Sequence, residues 1–106
     1  MTNILADLPD AVAGEIFTTL LQRTGVRIER IVSAGQVTPP DAPFDQPHDE
    51  WVLLLAGAAR LWIEEEGERG LTVGDVVLIP AHVRHRVTWT SVEPPAVWLA
   101  VHLEEG

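Results

Sequence analysis

The sequence predicts an all-β fold, a sandwich or barrel, on three observations. From Val26 onward, short runs rich in valine, isoleucine, leucine, threonine and tryptophan recur at spacings of roughly eight to twelve residues. Glycine- or proline-bearing turns separate most of them. None of these runs reaches the length a buried helix needs. A chain of 106 residues suits one domain, and one this short gains from self-association because it buries a modest share of its surface.

The first stretch reads differently. Asp7-Leu8-Pro9-Asp10 offers a capping acid and an early proline. Val12, Ile16 and Leu20, with Phe17 and Leu21, then follow i, i+4 spacing. The spacing predicts a short helix within residues 1–24, packed on a barrel of residues 25–106. Gly14 and two threonines weaken it, and Gly25 is its stop. Val26 to Val32 alternates Val26, Ile28 and Arg30 against Arg27, Glu29 and Ile31, a strand with a mixed outer face. Gly35 to Pro47, with four prolines and no apolar period, is a loop of a length that more often carries function. Strands follow at Glu50–Ala56 and Ala59–Glu64, with Gly57 as the turn between them. The polar run Glu64 to Gly70 is a solvated hairpin tip. Further strands are read at Leu71–Val73, Val76–Ile79, Arg84–Thr90 and Ala96–Leu103.

Composition excludes some classes of function. Sixteen acids face seven arginines and no lysine, for a net charge of −9. That balance disfavours nucleic acid, whose binding rests on cationic neutralisation of phosphates, and disfavours an anionic membrane surface. Without cysteine there is neither a disulfide framework nor a thiolate metal site. No apolar run approaches the length of a membrane span, and no secretory leader is evident, so a cytoplasmic location is expected.

The densest chemistry lies between Gly74 and Trp89. Gly74-Asp75 makes a turn, Val76 to Ile79 a strand, and Pro80 ends it because it cannot donate to a ladder. His82 and His85 follow. Here the chain resembles the cupin family, small jelly-roll barrels whose second motif is G-x5-P-x-G-x2-H-x3-N. Gly74, Pro80 and His85 match, with His82 at the second glycine and Trp89 at the asparagine. The first motif of the family is G-x5-H-x-H-x3,4-E-x6-G. Glu50 and Gly57 match it, Phe44 and Gln46 stand at the two histidines, and Gly35 lies too far upstream. The resemblance covers about residues 26–103.

The resemblance implies a single cupin jelly-roll barrel. Cupins generally hold Fe, Mn, Zn, Ni or Cu with three histidines and one glutamate, so Glu50 and His85 would be ligands here, with two vacancies or no metal at all. Residues two apart along a strand share a face. On that parity His48 is a candidate third ligand and Gln46 a weaker pocket residue. His82, three before His85, is a further candidate ligand. His102 shares parity with Trp98, and Trp89 shares parity with His85; both are weaker pocket candidates. Each lone histidine also has a plain reading as a hydrogen-bonded, partly buried side chain.

Two functions remain open. One is a metal-dependent enzyme acting on a small molecule by oxygenase-, isomerase- or lyase-type chemistry, with the metal as Lewis acid. The other is a barrel that binds or senses a small molecule without a working metal. The apolar stripe Trp51-Leu53-Leu55, facing away from Glu50, suits a homodimer interface.

Overall fold

The computed structural model describes residues 1–104 and contains eight strands in two antiparallel sheets: β1 (Ile16–Arg23), β2 (Val26–Ser33), β3 (Asp49–Ala56), β4 (Ala59–Ile63), β5 (Gly67–Leu71), β6 (Val76–Ile79), β7 (His85–Thr90) and β8 (Ala96–Leu103). One sheet has the order β1-β2-β8-β3-β6 and the other β5-β4-β7. Packed face to face, they form the two walls of a jelly-roll barrel.

The expected N-terminal helix is absent. Residues 16–23 are strand, paired with β2 from Ile16↔Val32 to Arg23↔Val26. The apolar residues that suggested a helical face satisfy a strand equally well. Ile16, Phe17, Thr18 and Thr19 are strand formers, and a two-residue turn at Thr24-Gly25 closes a hairpin. Gly25, with φ +83°, is the turn of that hairpin rather than a helix stop. The segment ahead of β1 crosses the outer face, where Leu8 and Ala11 pack with Val32, Val97 and Leu55. The Arg30 guanidinium donates to the Ile4 carbonyl at 3.1 Å.

Two strand boundaries also move. The polar tip shrinks to Glu64-Glu65-Glu66, and β5 begins at Gly67, opposite Ile63. The strand expected at Leu71–Val73 therefore ends at Leu71, and Thr72 to Asp75 is a turn in which the Asp75 carboxylate accepts from the Thr72 amide at 2.8 Å.

The core lies between the sheets. Val52 and Leu54 of β3, Leu61 and Ile63 of β4, Ile79 of β6 and Trp98 of β8 are all nearly inaccessible. Alternation puts these residues inward and Trp51, Leu53 and Leu99 outward. The cavity that holds the chemistry opens from the same inner face, so the core and the site share one set of strands.

Candidate functional site

Three elements bring one cluster together. Glu50 comes from β3, where it faces Ile79 on one side and His102 on the other. His85 opens β7. Gln46 comes from the long loop, which runs beside β7 as an irregular extra strand. Phe44 and His85 exchange backbone hydrogen bonds at 2.8 and 3.1 Å, and the Thr38 amide donates to the Val87 carbonyl at 2.8 Å. The turn after β6 is tied to the same loop, because the His82 amide donates to the Gln46 carbonyl at 2.7 Å. A proline-rich segment with no apolar period is thus held by backbone pairing and closes one side of the cavity.

Within the cluster the Gln46 amide donates to Glu50 Oε1 at 2.7 Å and stands 3.5 Å from His85 Nε2. His85 Nε2 is 3.8 Å from Glu50 Oε1. The Val83 carbonyl lies 3.1 Å from His85 Nδ1. A carbonyl only accepts, so Nδ1 carries a proton, and in the neutral form of the ring Nε2 presents a lone pair to the cavity. The Phe44 ring stacks on the imidazole, with centroids 5.3 Å apart. Glu50 and His85 are 7% and 5% exposed.

A second polar chain runs along the sheet from the same cavity. His102 Nε2–H donates to Glu29 Oε1 at 2.8 Å, and His48 Nε2 approaches His102 Nδ1 at 2.9 Å. Glu29 is held from the other side by the Arg27 guanidinium at 3.0 Å. With Glu29 accepting from Nε2–H, the neutral form of His102 presents Nδ1 as an acceptor to His48. Both ring nitrogens of His102 are thereby engaged.

The cavity measures about 510 Å³ and is lined by Glu15, Arg27, Glu29, Gln46, Glu50, His85 and His102 among largely apolar walls that include Trp98. Phe17, Val37 and Phe44 line it and are also exposed, so they form its rim. The volume is in the range of sites that enclose small organic ligands.

The sequence-expected residues divide. Glu50, His85 and Gln46 converge, and His102 lines the same cavity. His48 lies along the His102 chain. His82 is largely exposed and pairs with Asp45 at 3.1 Å. Trp89 does not wall the cavity. The β4–β7 register slips so that Arg60 faces Trp89 and Leu61 faces Val87, leaving Thr88 bulged and reversing the side-chain parity. Trp89 is accordingly 48% exposed. The alternation along β2 leaves open which of its two faces is the outer one, because each carries charge. The structure turns Arg27, Glu29 and Ile31 inward, where all three line the cavity.

These residues do not fit a resident transition metal. Among the described residues, no three histidine, cysteine, aspartate or glutamate side chains converge closely enough to hold one. At the positions of the two motif histidines, Phe44 offers a ring face and Gln46 turns an amide N–H, a donor, toward the carboxylate. A metal needs lone pairs at those places.

A family model described as "Cupin domain" matches residues 29–102. Several solved structures resemble the whole chain. A Ralstonia eutropha JMP134 protein with the provisional name mannose-6-phosphate isomerase is 46% identical, covers 98% of this chain and 97% of its own, and superposes with TM-score 0.92. A cupin superfamily protein of Desulfitobacterium hafniense DCB-2 is 21% identical over 99% and 92% of the two chains, with TM-score 0.80. KdgF from a Halomonas species is 20% identical over 98% and 94%, with TM-score 0.74. The last two likenesses concern the fold alone. No curated protein matches this chain.

Proposed function

This chain belongs to the cupin family, and from that premise we propose a metal-independent barrel that takes a small organic molecule and moves a proton on it. The observation that carries the reading is His85. Its Nδ1–H is committed to the Val83 carbonyl, and its Nε2 lone pair faces the cavity at 3.8 Å from the Glu50 carboxylate. A neutral imidazole in that setting is a general base. Nε2 would take a proton from a carbon beside a carbonyl, and the imidazolium so formed would be stabilised by Glu50. On an α-hydroxy carbonyl the enediolate so formed would pass its hydroxyl proton to the adjacent former carbonyl oxygen, and Nε2 would return the carbon proton to the former carbonyl carbon, leaving the isomerised hydroxy carbonyl and a neutral ring. Gln46 holds Glu50 through its amide, and Phe44 holds the ring plane. The provisional isomerase name of the 46% identical Ralstonia protein is of the same reaction type.

A proton-transfer site of this kind exchanges substrate hydrogen with solvent. Incubation in D2O with a panel of α-hydroxy- and α-aminoketones, followed by NMR, should show deuterium entering at the carbon beside the carbonyl. His85→Gln should abolish it. If the wild type exchanges no member of the panel faster than buffer does, catalysis is overturned and the non-catalytic binding barrel takes its place. A second reading, a metal held by Glu50 and His85, rests on the convergence of those two donors. Elemental analysis after separate addition of Mn, Fe, Ni and Zn decides it, and one metal per chain would overturn metal independence.

A further inference from the structure

We infer that the ligand of this cavity carries a protonated nitrogen, an amine or amidinium on an apolar body, and no anionic group. The inference rests on the metal-free, small-molecule reading of the cavity and not on proton transfer. Its first ground is the inventory of donors and acceptors. Glu50 Oε1 accepts from Gln46, while among the described residues no hydrogen bond reaches Glu50 Oε2. In its neutral form His85 Nε2 is also an acceptor, and the polar group beside it is the Gln46 amide at 3.5 Å. Two neighbouring acceptors that face the cavity, on side chains 10% and 6% exposed, call for a ligand that brings donors.

The second ground is charge. The lining carboxylates are Glu15, Glu29 and Glu50, and the lining guanidinium is Arg27 alone. Arg27 is already committed to Glu29 at 3.0 Å and Glu104 at 3.6 Å, and Glu29 to Arg27 and His102. Glu15 accepts from the Ser33 hydroxyl. Glu50 is therefore a buried carboxylate with a neutral amide as its close partner, a costly arrangement that a cation offsets. The other cations nearby point elsewhere: Arg84 bonds Glu64, and Arg86 lies over the Trp62 ring at 5.2 Å. A phosphate or carboxylate entering this cavity would meet acceptors and like charge. The apolar walls and the aromatic rim of Phe17 and Phe44 suit the rest of the ligand, and aromatic faces also favour a cation.

The test compares benzamidine, benzamide and benzoate, three probes of nearly equal shape, with mannose 6-phosphate as a phosphorylated probe. Binding is read from NMR shifts of the Trp98 indole and the His85 ring, on protein whose metal content is measured in the same sample. Benzamidine should bind about tenfold tighter than benzamide, as a charge-assisted hydrogen bond exceeds a neutral one. Benzoate and mannose 6-phosphate should leave both signals in place. Glu50→Gln should remove the preference for benzamidine over benzamide, while the wild-type comparison stands even if that variant folds poorly. Tighter binding of benzoate or the sugar phosphate by metal-free protein overturns the inference and leaves the metal-free reading intact. So does failure of benzamidine to bind at millimolar concentration. Stoichiometric metal in the sample overturns the underlying reading instead.

Discussion

At His82 a single backbone angle accounts for the residue better than its imidazole does. The cupin motif has glycine at this place, and His82 has φ +64°, the left-handed region where a Cβ costs roughly 1–2 kcal/mol. Its ring is exposed beside Asp45, where an ion pair contributes little. His82→Gly should therefore raise stability by roughly 0.5–1 kcal/mol after the added chain entropy of glycine is counted. Urea unfolding measures it, and a destabilised variant would show that the His82–Asp45 pair matters more than the strain. Gln46 and Phe44 make the complementary case, because their side chains decide what the site can hold. Phe44→His with Gln46→His would set three histidines around Glu50, and the double variant should retain one transition metal per chain after dialysis while the wild type retains none. Both motifs were legible in the sequence, including the departures from them. What was not legible was the use of those departures: that the amide would donate to Glu50 and the ring stack on His85.

The sequence is most legible where a short apolar run is bounded by turn residues, as at β3, β6 and β8. The spacing misleads at β1 because Ile16, Phe17, Leu20 and Leu21 also fit a strand, and the pairing partner Val26–Ser33 decides between the two. It misleads at Trp89 because a bulge, invisible in a period-two pattern, flips the face of every residue beyond it. Gly57 shows the opposite case, a turn that the motif places and the structure explains. Its φ is +75°, and a Cβ there would collide with the Pro95 carbonyl oxygen and come within 2.7 Å of Ser91 Oγ. Gly57→Ala should cost about 3 kcal/mol, combining left-handed strain with overpacking, and thermal unfolding would read it. A milder link joins the β4–β5 turn to the segment before β7. Arg84 hydrogen bonds hold the Glu64 carboxyl below its usual 4.5. A lowered folded pKa gives stability that is fully present above the unfolded value and is lost as pH falls through the folded one. The melting temperature of Glu64→Gln should therefore lie slightly below that of the wild type at neutral pH and converge with it well below pH 4.5. A difference that persists in acid would assign the effect to packing. The pair is solvent-exposed, so the shift should also shrink with salt.

Across the whole molecule, the inner face of the larger sheet is spent on the core and the cavity, while its outer face is covered only in part. Leu55, part of the stripe Trp51-Leu53-Leu55, packs within the same chain beneath residues 8–11. Beyond it, one cross-strand row reads Leu78, Trp51, Val101, Ile28 and Leu21, apolar on all five strands. The next row reads Val76, Leu53, Leu99, Arg30 and Thr18. Leu78 and Val76 are 55% and 49% exposed. A continuous apolar face of this kind exceeds the scattered exposure normal for a monomer. The two rows contain no acidic residue, so in a chain of net charge −9 this is the surface two copies can bring together with least repulsion. We propose that a second copy covers it through a two-fold interface of sheet on sheet. Light scattering should then give twice the 11.6 kDa chain mass. Leu78→Glu, on the exposed edge strand β6, should return the mass to one chain without unfolding the barrel, because its side chain contributes little to the core. A wild-type mass of one chain would remove the dimer, and a Leu78→Glu variant that stays dimeric would move the interface to another face. The cavity opens from the opposite side of this sheet, so monomeric Leu78→Glu protein should bind benzamidine as the wild type does.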